Sequence, residues 1–151
     1  MPVMTGPPAL TLHRHCHAPR ERVFAAWSDP HKLEAWYTPG ADWTIAVDFV
    51  DFRVGGRYRV RFGPPDESVA YVEEGTYHEI DAPMRIAFDT TLRADGRILS
   101  ETRCHVELRE AHDGTDVAVT ETGFADEHRD ARAAGWGRTL DNLVRHIAHD
   151  R

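Results

Sequence analysis

The sequence predicts an α+β domain: a curved antiparallel sheet of about seven strands, two short helices after the first strand, and a long C-terminal helix packed across the sheet. Three observations lead there. Between Thr44 and Gly123, β-branched and aromatic residues recur at period two between turn signals, as half-buried antiparallel strands require. Before that run, two short helical patterns flank Ser28-Asp29-Pro30. After it, Trp136, Leu140, Leu143, Val144 and Ile147 keep the i, i+4, i+7, i+8, i+11 spacing of one apolar helix stripe.

Residues 1–9, with three prolines and a glycine, cannot donate a regular ladder of hydrogen bonds and read as a flexible arm; residues 10–151 form a single domain. From Leu10 to His17, Leu10, Leu12 and Cys16 alternate with polar residues, the period of a first strand. Pro19 suits a first helical position, and Val23, Phe24, Ala26 and Trp27 share one side of the helix that follows. Asp29 is a candidate cap for a second helix, running to Tyr37, that turns Leu33, Trp36 and Tyr37 inward. Six strands follow, at about Thr44 to Val50, Gly56 to Phe62, Ala70 to Asp81, Met84 to Leu92, Ile98 to Arg109 and Thr115 to Thr122. Gly55-Gly56, Gly63-Pro64-Pro65-Asp66, Asp81-Ala82-Pro83, Ala94-Asp95-Gly96 and His112-Asp113-Gly114 separate them, supplying positive φ or a fixed proline φ. The last helix spans about Asp126 to His149.

Composition narrows the function. A chain of 151 residues buries roughly 70% of its unfolded surface and needs no staples. Net charge of -7, from 25 acidic and 18 basic side chains, repels a phosphate backbone, so nucleic acid is not an expected partner. No stretch approaches the ~20 apolar residues of a membrane helix, and residues 1–8 carry no signal-peptide pattern. Cys16 and Cys104 match neither a disulfide framework nor paired zinc ligands, so a cytoplasmic location is expected.

Candidate lining residues follow from parity. Tyr58, Val60 and Phe62 point inward on one strand, Ile86, Phe88 and Thr90 on another, and Thr102, Cys104 and Val106 on a third, with Trp136 and Leu140 facing them from the helix. These side chains either fill the core or leave a gap that holds a ligand. Glu73, Glu74, Glu101, Arg103 and Glu121 lie in strands; any carboxylate turned inward would have a raised pKa and could anchor a ligand or move a proton. Parity does not choose among them, because the long strand through Gly75 can carry a bulge. In His13-Arg14-His15-Cys16-His17 the three histidines fall on one face in steps of about 7 Å, with Cys16 opposite. No closed metal site follows, and neither a metal nor a cofactor is expected. Gly55-Gly56 lacks the spacing of a phosphate loop, and no Gly-x-Ser-x-Gly, Cys-x-x-Cys or His-Glu-x-x-His occurs.

Arg14, Ala18-Pro19, Val23-Phe24, Trp27-Ser28-Asp29-Pro30, Leu33 and Trp36 form a series that continues through Gly55-Gly56-Arg57-Tyr58, Gly75, Glu79-Ile80 and Pro83. It closes with Gly123-Phe124, Gly135-Trp136 and Leu140-Asp141-Asn142-Leu143. In order and spacing this series resembles the bacterial homologues of the activator of heat-shock protein 90 ATPase, within the START-like (SRPBCC, Bet v 1-like) superfamily. The resemblance implies a helix-grip fold with a cavity between sheet and last helix, in a superfamily of lipid, hormone and polyketide binders and some cyclases. It implies no shared catalytic residues. Where relatives often have two tryptophans, this chain has Trp36-Tyr37, which puts a phenolic hydroxyl near the expected pocket rim. The first functional expectation is therefore binding of a small apolar or amphipathic molecule. Alternatives are a cyclase or hydrolase using a pocket carboxylate or Tyr37, and a chaperone-associated protein; a homodimer through a sheet edge or the short helices is also open.

Overall fold

The computed structural model describes residues 9–40 and 42–149. Strand β1 (Ala9–Cys16) is followed by helices α1 (Arg20–Ser28) and α2 (Pro30–Trp36). Strands β2 (Thr44–Val50), β3 (Arg57–Gly63), β4 (Tyr71–Asp81), β5 (Arg85–Ala94), β6 (Arg97–Ala111) and β7 (Gly114–Thr122) come next. A short 3₁₀ turn (Asp126–His128) leads into α3 (Arg129–His149). Met1 to Pro8 of the expected N-terminal arm lie outside the described residues, while Ala9 already belongs to β1.

All seven strands form one antiparallel sheet in the order β1-β7-β6-β5-β4-β3-β2. Strands β2 to β7 are a meander, and β1 pairs with β7 from Ala9↔Thr122 to Cys16↔Thr115, so β1 and β2 are the two edges. Register shifts at Val47/Phe49, Tyr77/Glu79 and Leu92/Arg93 mark places where the strands bend. The bulge anticipated in the strand through Gly75 is the second of these.

Element ends depart from the sequence expectation by one to three residues, with local causes. Pro19 is the N-cap of α1, not its first residue, because its ψ of 157° is extended. Asp29 caps α2 as expected, its carboxylate accepting from the His31 amide at 2.9 Å. Pairing in the β5–β6 hairpin continues to Ala94↔Arg97, beyond the expected strand ends. Asp95 (φ 53°) and Gly96 (φ 75°) form the two-residue turn with both central residues at positive φ that matches strand twist.

Helix α3 lies across one face of the sheet, packing against β1, α1 and α2. Its stripe of Leu140, Leu143 and Ile147 is fully buried with Val106, Val117 and Val119 in the core. Polar contacts fix its position. The Asn142 side-chain amide donates to the Thr38 carbonyl (3.0 Å) and to the Trp36 carbonyl (3.4 Å), which also accepts from the Thr38 amide at 2.8 Å, and so ties α3 to the end of α2. Arg14 on β1 donates to Asp141 at 2.8 Å and to the Gly137 carbonyl at 3.3 Å. Residues far apart in the sequence series quoted above thus meet at the helix.

Gly75 is also explained by a close approach. It lies opposite Tyr58 in the β3–β4 ladder, and a Cβ there would sit 2.0 Å from the Tyr58 ring. The ring has little freedom to yield, because its hydroxyl is bound to Glu73 at 2.6 Å. Gly75→Ala is therefore expected to lower stability by about 1–3 kcal/mol, the usual cost of overpacking, measured by urea unfolding. A change within about 0.5 kcal/mol would show that the ring moves aside freely.

Candidate functional site

Between α3 and the sheet lies a cavity of about 500 Å³, within the ~300–1,000 Å³ common for small-molecule sites. It exists because small residues face each other across the gap. Gly135 and Ala131 present little side chain from α3, and Thr90 and Ser100 present little from the sheet. At one side Trp43 stacks on Tyr71 (centroids 5.8 Å apart, planes at 9°), and Phe62 stacks on Tyr71 at 5.6 Å. At the other, Trp136 stacks on Trp27 at 6.4 Å and meets Tyr37 edge-on at 6.2 Å. Most of the wall is apolar, and two carboxylates interrupt it.

Glu121 is the more deeply buried of the two, with only 1% of its surface exposed. The inward parity of Thr115, Val117 and Val119 on β7 carries it to the inner face, opposite Cys104 in the ladder. Arg132, in the first turns of α3, binds it with two nitrogens, Nε to Oε1 at 2.6 Å and a terminal nitrogen to Oε2 at 2.7 Å. Trp136 Nε1 donates to Oε1 at 3.3 Å, and the Thr102 hydroxyl donates to Oε2 at 2.8 Å. Since Thr102 gives its one proton to the carboxylate, Thr90, 3.0 Å from it, must be the donor in their shared bond. Glu121 is thus well supplied with partners.

Glu73 is differently placed. Tyr58 and Tyr37 both donate to its Oε2, at 2.6 and 2.8 Å, and Oε1 has no hydrogen bond among the described residues. Burial pushes its pKa above the ordinary 4.5, the two tyrosine hydrogen bonds pull in the opposite direction, and the charge of Glu121 adds to the rise. Both tyrosines hold their protons more tightly than usual, first through burial and then through the nearby Glu73 charge. Neither is a ready proton donor near neutral pH; the titratable group of this trio is the carboxyl. Burial likewise raises Cys104, whose Sγ lies 3.6 Å from Glu121 Oε2, so its thiol stays protonated.

Of the residues expected to line a pocket, Tyr37, Phe62, Thr90, Cys104 and Trp136 border this cavity. Tyr58, Val60 and Phe88 instead surround a separate void of about 20 Å³, room for little more than one water, although the Tyr58 hydroxyl reaches Glu73. Thr102 sits one hydrogen bond behind the wall. Trp36 and Leu140, both 0% exposed, border neither space: Trp36 donates its indole N–H to the Ala26 carbonyl at 3.0 Å, and Leu140 belongs to the core. Of the strand charges left open, Glu73 and Glu121 turn inward. Glu74 pairs with Arg93, Arg103 pairs with Asp89 at 2.7 Å, and Glu101 is exposed. Trp43, Tyr71, Leu99 and Arg132 were not anticipated. Arg132 was readable, lying one helical turn before Trp136; Trp43, in the segment before β2, carries no periodic signal.

The cluster His15, His17 and Asp113 lies outside this cavity, and no described helix is long and apolar enough to cross a membrane.

Comparison with known proteins gives a consistent picture. The family model described as activator of Hsp90 ATPase homolog 1-like protein matches residues 17–148. Protein CV1439 from Chromobacterium violaceum is 27% identical, with a TM-score of 0.80 over 91% of this chain and 96% of that one. The AHSA1-like protein from Aeromonas hydrophila is 26% identical, with a TM-score of 0.79 over 93% of this chain and 92% of that one. The Mll3558 protein from Rhizobium loti is 25% identical, with a TM-score of 0.78 over 92% of this chain and 96% of that one. No curated protein sequence matches.

Two outcomes test this description of the site. Arg132→Met leaves Glu121 buried without its cation and is expected to cost about 3–5 kcal/mol, whereas adding Glu121→Leu should recover most of the loss, both read from denaturant unfolding. Glu73 should show the opposite sign. Its raised pKa means that its contribution to stability is fully present below about pH 4.5 and is lost as pH rises through the folded value. Glu73→Gln, neutral throughout, should melt with the parent in acid and above it at neutral pH; a difference that does not vary with pH would contradict the assignment.

Proposed function

The chain belongs to the family of activator of Hsp90 ATPase homolog 1-like proteins, and from that premise we propose that it binds a small amphipathic molecule in the cavity between α3 and the sheet. The proposed guest has an apolar body packed against Trp43, Phe62 and Trp136, and a hydroxyl or amine that donates to Glu73. One observation carries this reading: an apolar-walled space of about 500 Å³ containing a carboxylate oxygen with no protein partner among the described residues. Such a space needs one directional group to orient a guest, and a buried acceptor left unmatched is costly enough to discriminate among guests. We place the protein in the cytoplasm, which suits its two buried free cysteines.

A second reading has a specific observation behind it. Burial raises the pKa of Glu73, which suits the group to passing a proton to or from a bound molecule, and this is the observation that supports acid–base turnover. The two readings differ in whether the guest leaves unchanged.

The test is native mass spectrometry of gently purified protein, combined with melting in the presence of phenols and aromatic alcohols and matched analogues lacking the hydroxyl. A ligand at one hundred times its Kd should add about 2.7 kcal/mol of stability. Glu73→Leu, which leaves no polar atom to meet the guest, should remove most of the preference for the hydroxylated member of each pair. Gly135→Leu should block binding, since among the described residues a Cβ there meets only Pro39 at 3.7 Å and can be accepted without moving the backbone. No copurifying molecule, together with no shift across the panel, would end the binding proposal. Recovery of a transformed guest from the parent but not from Glu73→Gln would favour turnover.

A further inference from the structure

The histidines of β1 acquire a meaning from a part of the chain almost a hundred residues away. His15 faces Asp116 across the β1–β7 ladder, and His17 follows the end of β1. Because His17 has left the strand, its ring is 4.7 Å from that of His15, closer than the spacing along a regular strand face. The β6–β7 turn, His112-Asp113, is pressed against this strand end. At Gly114 a Cβ would lie 2.0 Å from the Cys16 carbonyl oxygen, so only glycine allows the approach. That contact delivers Asp113, whose Oδ1 is 2.9 Å from His15 Nε2 and whose Oδ2 is 3.5 Å from His17 Nδ1.

The orientation of His15 decides what these groups can do together. Nδ1 lies 2.8 Å from Asp116 Oδ1 in hydrogen-bond geometry, and a carboxylate only accepts, so Nδ1 carries a proton. Nε2 is shielded from solvent and lies 2.9 Å from Asp113 Oδ1, out of line for a regular hydrogen bond; the flanking carboxylates favour the protonated ring, so a metal would displace that proton. In the neutral ring, Nε2 and the carboxylate oxygen are two lone-pair donors converging on one point. Donor atoms of His15, His17 and Asp113 lie within 4.8 Å of one another. Three ligands bonded to one ion at 2.0–2.2 Å in tetrahedral geometry would be about 3.3 Å apart, which small rotations of the exposed His17 and Asp113 side chains about the half-buried His15 can reach.

We propose that His15, His17 and Asp113 form a site for a divalent first-row transition ion of the zinc type, with Asp116 orienting His15 and water completing the coordination. Two imidazole nitrogens and one carboxylate suit such an ion and disfavour calcium or magnesium, which take oxygen ligands. The carboxylate–histidine–metal arrangement is how proteins set the tautomer of a ligating ring. The site joins the edge strand β1 to the β6–β7 turn, away from the cavity, so a bound ion would clasp the sheet edge and would have no part in ligand chemistry.

The experiment is calorimetric titration of the untagged full chain with Zn²⁺ at neutral pH, with the visible spectrum of the Co²⁺ form as a second readout. One saturable one-to-one step is expected, with Co²⁺ bands of low coordination number and a melting temperature that rises with Zn²⁺ and returns with chelator. His17→Ala and Asp113→Asn should each abolish the step; His17 is 71% exposed, so its loss leaves the fold intact. Asp116→Asn should keep the stoichiometry and weaken affinity about ten- to a hundredfold. His13→Ala, further along the same strand face, should titrate like the parent. Absence of a one-to-one step would overturn the proposal, as would retention of that step in His17→Ala or its loss in His13→Ala.

Discussion

The bidentate contact between Arg132 and Glu121 is the constraint on which the interior depends. It crosses from α3 to β7 at the end of the helix where the cavity lies, with Trp136 and Thr102 completing the carboxylate's partners. A buried ion pair is a poor source of net stability, because desolvating both charges offsets most of their attraction. What it supplies is position. Apolar side chains would gain free energy by drawing the helix down and closing the gap, whereas two hydrogen bonds of fixed length set a distance below which the helix cannot settle without leaving a charge unmatched.

Further along α3 the opposite regime holds. Leu140, Leu143 and Ile147 are buried without remainder, and the Asn142 amide ties the helix to the end of α2. One helix is therefore packed tightly over its second half and held at a set height over its first. That division locates the cavity, and it explains why Leu140, one turn beyond Trp136 on the same stripe, lies in the core while Trp136 borders open space. The same division separates the carboxylates. Glu121 belongs to the scaffold that sets the gap, whereas Glu73, bound among the described residues by two tyrosine hydroxyls on one oxygen, is the group left to meet something else.

Most of the fold was legible in the sequence because period-two and period-3.6 patterns are one-dimensional images of faces. Residues of the series from Arg14 to Leu143, which carried the family resemblance through order and spacing alone, meet in the structure, Arg14 with Asp141 and Gly75 with Tyr58 among them. The site was legible in part. Parity turned Cys104, Phe62 and Thr90 to the correct side, but a side does not distinguish packed core from cavity wall. Val60 and Leu140 show this, each turned inward and each enclosed. Glu73 stayed undecided because β4 is long enough to carry a bulge on either side of it; the bulge falls at Tyr77/Glu79, after Glu73, and leaves the inward parity of Tyr71, Glu73 and Gly75 undisturbed. Trp43 was invisible because its place in the wall is set by the loop before β2 rather than by any period. Asp113 was invisible as a neighbour of His15 because only the pairing of the first strand with the last brings them together.

The residues that break local rules lead to the same reading of the cavity. Glycine within a helix costs about 1 kcal/mol relative to alanine, and α3 carries two, Gly135 and Gly137. Gly137 has a packing reason, since a Cβ there would meet Arg14 at 3.3 Å and Leu12 at 3.8 Å. Gly135 has none: among the described residues the only neighbour within 4 Å of a Cβ there is Pro39 at 3.7 Å, an ordinary contact. An alanine would fit and would favour the helix. A position that forgoes helix propensity without steric compulsion, on the wall of a cavity whose height an ion pair sets, is accounted for when the open space itself is what the sequence maintains.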